Sequence, residues 1–421
     1  MRKMTILFYI MIILVGAISW KPIIPGIGGQ VLTLTKGLLL IIVLFYILER
    51  GIRKNNISII NMIGIFVLTL FLIIQIVRVN YVEYADYGDI TRSFSAYLLL
   101  FLIPIINFRL SEAKRILIII QLLPIISVIT GIIFSLFTQW NFIKHEYTGV
   151  MRIQGSNPPA HLAELCFVAI ITSLACILYN ERKVSDSDKV LGINKMWVNL
   201  LLYINLFILT LTFTRITLLG ALLLYGFYIM KKIYKSLKRK RISLPILLLL
   251  IFSAIPLLYA VKQILESLIE RSTNNLGGIN TSGRYWAWQY FKEKAMEHPV
   301  VGRGMGASQS LYETNPHKEF VAPHNEFIRA FLEVGTIGCI IIIFFLIFYI
   351  IWFYKKNKKY EIIKNSFFIL TVISIFMVSY YDNLFVTIHF SLPFTLLCSC
   401  YISIIMNNAD RSLKHEKNLI N

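Results

Sequence analysis

Apolar stretches of about 20 residues recur along almost the whole chain, and no other feature restricts its fold so strongly. A run of that length crosses the roughly 30 Å hydrocarbon layer as a helix, and inside that layer every backbone amide must be hydrogen-bonded within the protein. With 57% hydrophobic and only 15% charged residues over 421 positions, the chain has more apolar surface than a soluble core could cover, so lipid must cover the rest. Hydropathy gives about 12 spans, near 4–19, 31–48, 57–77, 94–107, 116–138, 160–179, 198–213, 216–230, 244–262, 327–354, 366–381 and 384–406. An even number returns both termini to one side. Trp20, Lys21 and Pro22 follow the first span without a small-residue cleavage site, so that span is expected to remain as an anchor.

Lysine and arginine set the orientation, because cationic loops stay on the cytoplasmic side. Segments 1–3, 49–56, 108–115, 180–197, 231–243, 355–365 and 407–421 hold 27 of the 42 Lys and Arg but only 8 of the 22 Asp and Glu. They carry +19 of the net +20, and the outer loops and spans together balance at +1. The basic character is therefore topology, with Lys238, Arg239, Lys240 and Arg241 an anchor against anionic headgroups, and no nucleic-acid partner is expected. Cys166, Cys176, Cys339, Cys398 and Cys400 all fall inside expected spans without a CxxC pair, which indicates neither a disulfide framework nor a thiolate metal site.

The expected division is a membrane domain over 1–262, an external catalytic loop over 263–326, a second membrane part over 327–406 and a cytoplasmic tail over 407–421. The loop 78–93 is rich in Tyr and carboxylates, suited to an interface or to stacking on sugar rings. The loop 139–159 ends in Gly155, Asn157, Pro158 and Pro159, a rigid turn into the next span. Within 263–326, the spacing of Tyr285, Trp288, Phe291 and Ala295 predicts an amphipathic helix lying on the membrane interface, stopped by Pro299. A glycine-rich turn follows at Gly302, Gly304 and Gly306, and Asn325 is placed to cap the next helix, with Glu326 favourable to its dipole.

Cations are scarce on the outer side, so the arginines found there, Arg152, Arg215, Arg284, Arg303 and Arg329, require a reason. Arg215 stands between two apolar segments at the membrane edge, where a charge is costly without a partner or a task. Snorkelling to headgroups or pairing with a loop carboxylate would satisfy it; so would a phosphate, whose oxygens match the forked donors of a guanidinium. His324 sits between a turn and a helix start, where an imidazole can take a proton from a sugar hydroxyl near neutral pH. His145, His298 and His317 read as solvated loop histidines. Arg329 and Glu333 are four apart on one helical face, which gives a salt bridge, or a carboxylate holding an arginine toward a site. Asp382 and Asn383, in the tight turn between the last two spans, add a further carboxylate. Walker A, HExxH and GxSxG patterns are absent, as is an acidic pair with metal-ligand spacing, so neither metal nor cofactor is expected.

His324 and Asn325, followed by Glu333, Gly335 and Gly338, resemble the O-antigen ligase and polymerase superfamily. Ser282, Gly283 and Arg284 with Trp286 or Trp288, then His298, Pro299, Gly302, Arg303, Gly304 and Gly306, agree in order, as do Thr214 with Arg215 and the turn from Arg152 to Pro158. Pro159 and Thr214 depart from the residues common at those places. The resemblance covers roughly 150–340. It implies an all-α, GT-C-like polytopic membrane protein with short amphipathic helices in one large external loop. The implied activity is a metal-independent, inverting glycosyltransferase acting on an undecaprenyl-pyrophosphate-linked glycan at the outer face of a bacterial cytoplasmic membrane. His324, Arg215 and Arg284 are then the expected catalytic residues, with Arg152, Arg303, Asn325, Arg329 and Glu333 binding substrate. The expected partners are the lipid-linked donor, a glycan acceptor, membrane lipids and a chain-length regulator.

A polymerase joining repeat units for capsule or O-antigen leads, and a ligase moving finished glycan to a lipid, polymer or protein acceptor shares the same donor site. A transporter or flippase is the reading from another class. It would place paired charges near the bilayer midplane in repeated halves, whereas here the unusual residues gather at one outer edge.

Overall fold

The structure is a computed structural model and describes residues 2–20, 28–52, 56–79, 87–145, 151–181, 193–238, 259, 262, 284–311, 322–360 and 363–420. The helices are α1 (Arg2–Gly16), α2 (Gly28–Arg50), α3 (Asn56–Val79), α4 (Tyr87–Leu102), α5 (Leu110–Phe137), α6 (Pro159–Asn180), α7 (Lys195–Leu211) and α8 (Arg215–Lys238). They continue as α9 (Arg284–Met296), α10 (Ala307–Ser310), α11 (Glu326–Tyr360), α12 (Asn365–Tyr381) and α13 (Ile388–Ile420). The sheet among the described residues is one antiparallel pair, β1 (Ile143–His145) with β2 (Met151–Ile153), in which Lys144 faces Arg152. Among the described residues, seven helices are long and apolar enough to cross a membrane, and shorter apolar helices lie at Lys3–Gly16, Ser93–Ile105, Lys195–Leu211 and Asn365–Tyr381. The protein is all-α and multi-pass. The span expected at 244–262 lies largely outside the described residues, as do His317 and most of 263–283.

Burial separates the spans into two kinds. Along α2, Leu34, Leu38, Ile41, Phe45 and Leu48 are exposed at helical spacing, a stripe that lipid must cover. In α6 the run from Leu162 to Ile171 is buried on every face, and α5, α7, α8 and α13 pack around it. Small residues let these neighbours approach. A Cβ on Gly220 of α8 would lie 2.8 Å from Ser374 Oγ, 2.9 Å from Val378 and 3.3 Å from Phe167. The Ser374 hydroxyl uses that closeness to donate to the Gly220 carbonyl at 2.8 Å. Two further polar contacts tie helices inside the bundle: Ser173 donates to Gln121 Oε1, and Asn205 Nδ2 donates to the Gln121 carbonyl.

Helix α11 is not the continuous span expected from 327. Gly335 has φ 62° and ψ −167°, so a short helix over Glu326–Val334 is set off from the apolar span that follows. The Pro299–Gly304 loop fills the break. Arg303 and Gly304 donate their N–H groups to the carbonyls of Leu332 and Glu333 at 2.8 and 2.9 Å, and Thr336 and Ile337 donate to Pro299 and Val300 at 2.8 and 3.2 Å. Backbone carbonyls and amides freed by the break are thus satisfied by protein, as membrane depth requires. Gln75 of α3 holds the far side of the loop, its amide both donating to and accepting from the Met305 backbone at 2.8 Å.

Helix α9 also differs from expectation. Its apolar face, Ala287, Phe291 and Ala295, is buried against Ile328 and Leu332 of α11 and Leu311, so protein and not the lipid interface covers it. The reason is the break at Gly335, which frees a short apolar helix to serve as its partner. Trp286, on another face, remains exposed.

A Cβ at Gly335 would stand 2.4 Å from Gly302 N and 2.6 Å from the Val300 carbonyl, on a left-handed backbone that side chains disfavour. Gly335→Ala is expected to cost about 2 kcal/mol or more and to lower the thermal midpoint in detergent by several degrees. Gly37→Ala, in a helix with nothing within 4 Å, should leave stability unchanged or raise it by up to ~1 kcal/mol. Equal midpoints for the two variants would contradict this account of the joint.

Candidate active site

The site forms where α9, the turn before α11 and the end of α12 meet. Trp288 Nε1 donates to the Pro323 carbonyl at 2.7 Å, and its ring lies 5.6 and 6.1 Å from those of Tyr380 and Tyr381. One turn earlier on α9, Arg284 Nη1 donates to the Tyr381 carbonyl at 2.8 Å. Asn325 caps α11 as expected, its Oδ1 accepting from the N–H groups of Phe327 and Ile328 at 3.0 Å each. Its own N–H donates to Asn383 Oδ1 at 3.2 Å, which ties the cap to the α12–α13 turn.

These contacts put His324 against Asp382. His324 has φ 46°, an uncommon backbone for a side-chain-bearing residue, and its Nδ1 lies 3.2 Å from Asp382 Oδ1. The imidazole is about a third exposed and the carboxylate largely buried. Burial opposes the charge on Asp382, but the hydrogen bond and charge of His324, the charge of Arg284 and the Asn383 N–H outweigh it and hold the carboxyl below the usual aspartate range. An ionised Asp382 favours a proton on His324 Nδ1; in the neutral ring this would leave Nε2 as the accepting nitrogen, the arrangement a general base needs. Asp382 was only a minor feature of the sequence. Its signal was a carboxylate in a tight outer turn, and its partner 58 residues away could not be read from spacing.

Arg329 and Glu333 are brought together, but inside the protein. Arg329 is 1% exposed; it pairs with Glu333 at 3.0 Å and with Glu326, and its Nη2 donates to Tyr97 Oη at 2.6 Å. Glu333 also accepts from Ser308 Oγ at 2.8 Å, and Glu326 from the Phe385 N–H at 3.3 Å. The i,i+4 salt bridge is present, and this network braces α4, α10 and the α12–α13 turn around the start of α11. Arg303 is likewise buried, with Nε donating to the Lys294 carbonyl at 2.8 Å and an ion pair to Glu297 that fastens the glycine loop to the end of α9.

Arg152 and Arg215 belong to a second group at the same edge. Arg152 Nε donates to the Thr212 carbonyl at 2.7 Å and Nη2 to Thr214 Oγ1 at 2.8 Å. The α7–α8 turn passes through Phe213 at φ 54° and delivers Arg215 as the first residue of α8. Gly220 faces Ser374 and Val378 of α12. Going outward, five residues lead back to Arg215, about 7.5 Å, and three to seven lead on to Tyr381, about 4.5–10.5 Å at 1.5 Å per residue, so the two ends lie within ~3 Å of one level. Arg215 therefore stands at the depth of the His324–Asp382 pair. Among the described residues, no group of three or more His, Cys, Asp or Glu is arranged to hold a metal ion.

With its folded-state value depressed, Asp382 contributes stability at pH above the ordinary aspartate value near 3.8, and that contribution is lost as pH falls through the lower folded value. Asp382→Asn should lower the thermal midpoint at pH 6 by about 1 kcal/mol equivalent, and the difference from wild type should shrink below pH ~4. A gap that stays constant down to pH 3 would contradict the assignment.

No curated protein matches the chain. Residues 200–343 match the family model described as O-antigen ligase. The matched stretch contains Arg215, Arg284, Arg303, His324, Asn325, Arg329 and Glu333, while Arg152 and Asp382 lie outside it. Residues 200–343 of this multi-pass membrane chain are thus similar to the O-antigen ligase family, in agreement with the resemblance that its motifs carry.

Proposed function

We propose that the chain is a polymerase that joins undecaprenyl-pyrophosphate-linked repeat units into a cell-surface polysaccharide, at the external face of a bacterial cytoplasmic membrane. The observation that supports it best is the His324–Asp382 pair beside Arg284, level with Arg215 and Arg152 on the same edge. A base oriented by a carboxylate, next to fixed guanidinium groups, suits attack by a hydroxyl on a carbon whose leaving group is a diphosphate.

In this reading Arg215 and Arg284 grip the donor diphosphate and offset the charge that develops as it departs, with Arg152 beside Arg215. His324 Nε2 takes the proton of the acceptor hydroxyl while Asp382 steadies the imidazolium that forms. The hydroxyl attacks the anomeric carbon opposite the diphosphate and inverts it in one displacement, and the guanidinium charges carry the electrostatic load without a metal. Asn325 positions His324 through the helix cap, and Arg303, Arg329 and Glu333 hold the surrounding backbone. The external loop over 263–326 and the two flanking membrane parts divide the chain accordingly. The donor, a growing glycan acceptor, membrane lipids and a chain-length regulator are the partners this activity uses.

The description of the matched family favours a second reading, a ligase that moves finished glycan to another acceptor from the same donor site. Purified protein in liposomes, given lipid-linked repeat units and no ion gradient, separates these: a ladder of longer lipid-linked glycans is expected, and transfer to an added acceptor without a ladder would favour the ligase. Neither product, alongside translocation of the lipid, would reject an enzyme. His324→Ala and Arg215→Ala should each lower transfer by on the order of 10²–10³ while membrane insertion is retained. Wild-type chain lengths in either variant would remove that residue from the mechanism.

A further inference from the structure

Glu164 is a charged-type residue one and a half turns inside the start of α6, 1% exposed, and its Oε2 has no hydrogen-bond partner among the described residues. Buried carboxyl oxygens without a donor are costly, and such an atom needs a reason. The other carboxyls of this region have theirs: Asp382 faces His324, and Glu326 and Glu333 share Arg329.

Its position is fixed by the residues on either side of it along one helical face. His161, three before, lies with its ring 4.9 Å from that of His389, and Phe167, three after, lies 6.4 Å from Phe390. Glu164 thus faces the start of α13, and it lies within electrostatic reach of Asp382 and Glu326. On the other flank the Pro159 carbonyl accepts from Thr214 Oγ1 at 3.5 Å, the same hydroxyl that Arg152 contacts. Phe167 meets Gly220, so Glu164 and Thr217, each three residues outward on helices running the same way, share one depth. Thr217 Oγ1 is a second buried polar atom without a partner among the described residues, and Ser391 Oγ on α13 is a third.

We infer that Glu164 is a proton-relay residue between the His324–Asp382 pair and the diphosphate held near Arg152, Thr214 and Arg215. The inference rests on the base role of His324 given above. The acceptor O–H gives its proton to His324 Nε2 as its oxygen bonds to the anomeric carbon, and the carbon–oxygen bond to the diphosphate breaks with its electron pair leaving on the diphosphate. A carboxyl takes a proton on one oxygen and gives one up from the other, so Glu164 passes the proton from the imidazolium to the departing diphosphate and restores His324 for the next attack. The charged groups that act on it are Asp382 in the α12–α13 turn and Glu326 on α11, and the histidines on the flanking helix faces are His161 on its own helix and His389 on α13.

The test is transfer by full-length protein in liposomes, using lipid-diphosphate-linked repeat units in mixtures of H2O and D2O. Wild type should give a curved dependence of kcat on deuterium fraction, because in the relay the protons on the acceptor oxygen, His324 and Glu164 move in the same transition state as the displacement. Glu164→Gln should lower kcat about tenfold or more with KM unchanged and give a straight line. Glu164→Asp, which keeps a carboxyl, should recover part of the rate. A straight line for wild type overturns the relay whether or not the variants fold, as does unaltered kcat or a change confined to KM in Glu164→Gln. No transfer by wild type would reject the proposed function itself, and full activity in His324→Ala would reject the base; curved wild-type data with a straight line in Glu164→Gln support the relay.

Discussion

Two backbones meet at Gly302 and Gly335 more closely than any side chain would allow, and the site depends on that contact. The break in α11 turns the first nine residues of an apparent span into a separate helix, and the loop across the break satisfies the carbonyls and amides it frees. The freed helix then receives the apolar face of α9 and carries His324 and Asn325 at its start. The glycines in both motifs are therefore two halves of one joint. Their requirement is steric: at either position an added Cβ would lie within 2.6 Å of backbone atoms of the other segment.

On that frame the charges separate into those that brace and those that face the edge. Arg303 and Arg329 are buried and paired with carboxylates, an arrangement that costs desolvation and is offset by the ion pairs and hydrogen bonds that join their segments. Arg284, Arg152 and Arg215 lie at helix or strand positions beside turns, together with a histidine whose carboxylate partner selects its tautomer. The same residue type has two tasks, and burial decides which.

Much of this was legible in the sequence for physical reasons. Long apolar runs marked helices able to cross a membrane, Asn325 the cap, and the histidine before it a candidate base. The break at Gly335 was hidden because the hydropathy on either side is continuous, and a lone glycine in an apolar run reads as helix packing. The fate of Arg303 was equally hidden, since its partner Glu297 directly follows a helix whose docking depends on the break. Asp382 was visible as a carboxylate in a turn, but its pairing with His324 spans two helices and needs three-dimensional placement. Glu164 lies in an apolar run with no local signal of its surroundings, because its neighbours on α8 and α13 come from packing alone.

In the proposed reaction, one base and a set of fixed cations carry out a single displacement at the anomeric carbon. The most direct measurement is the configuration of the newly formed linkage, read by NMR on product made by purified protein from a donor of known anomeric form. Inversion relative to the lipid-linked donor is the predicted result. Retention would require a second displacement through a covalent intermediate and would contradict the account.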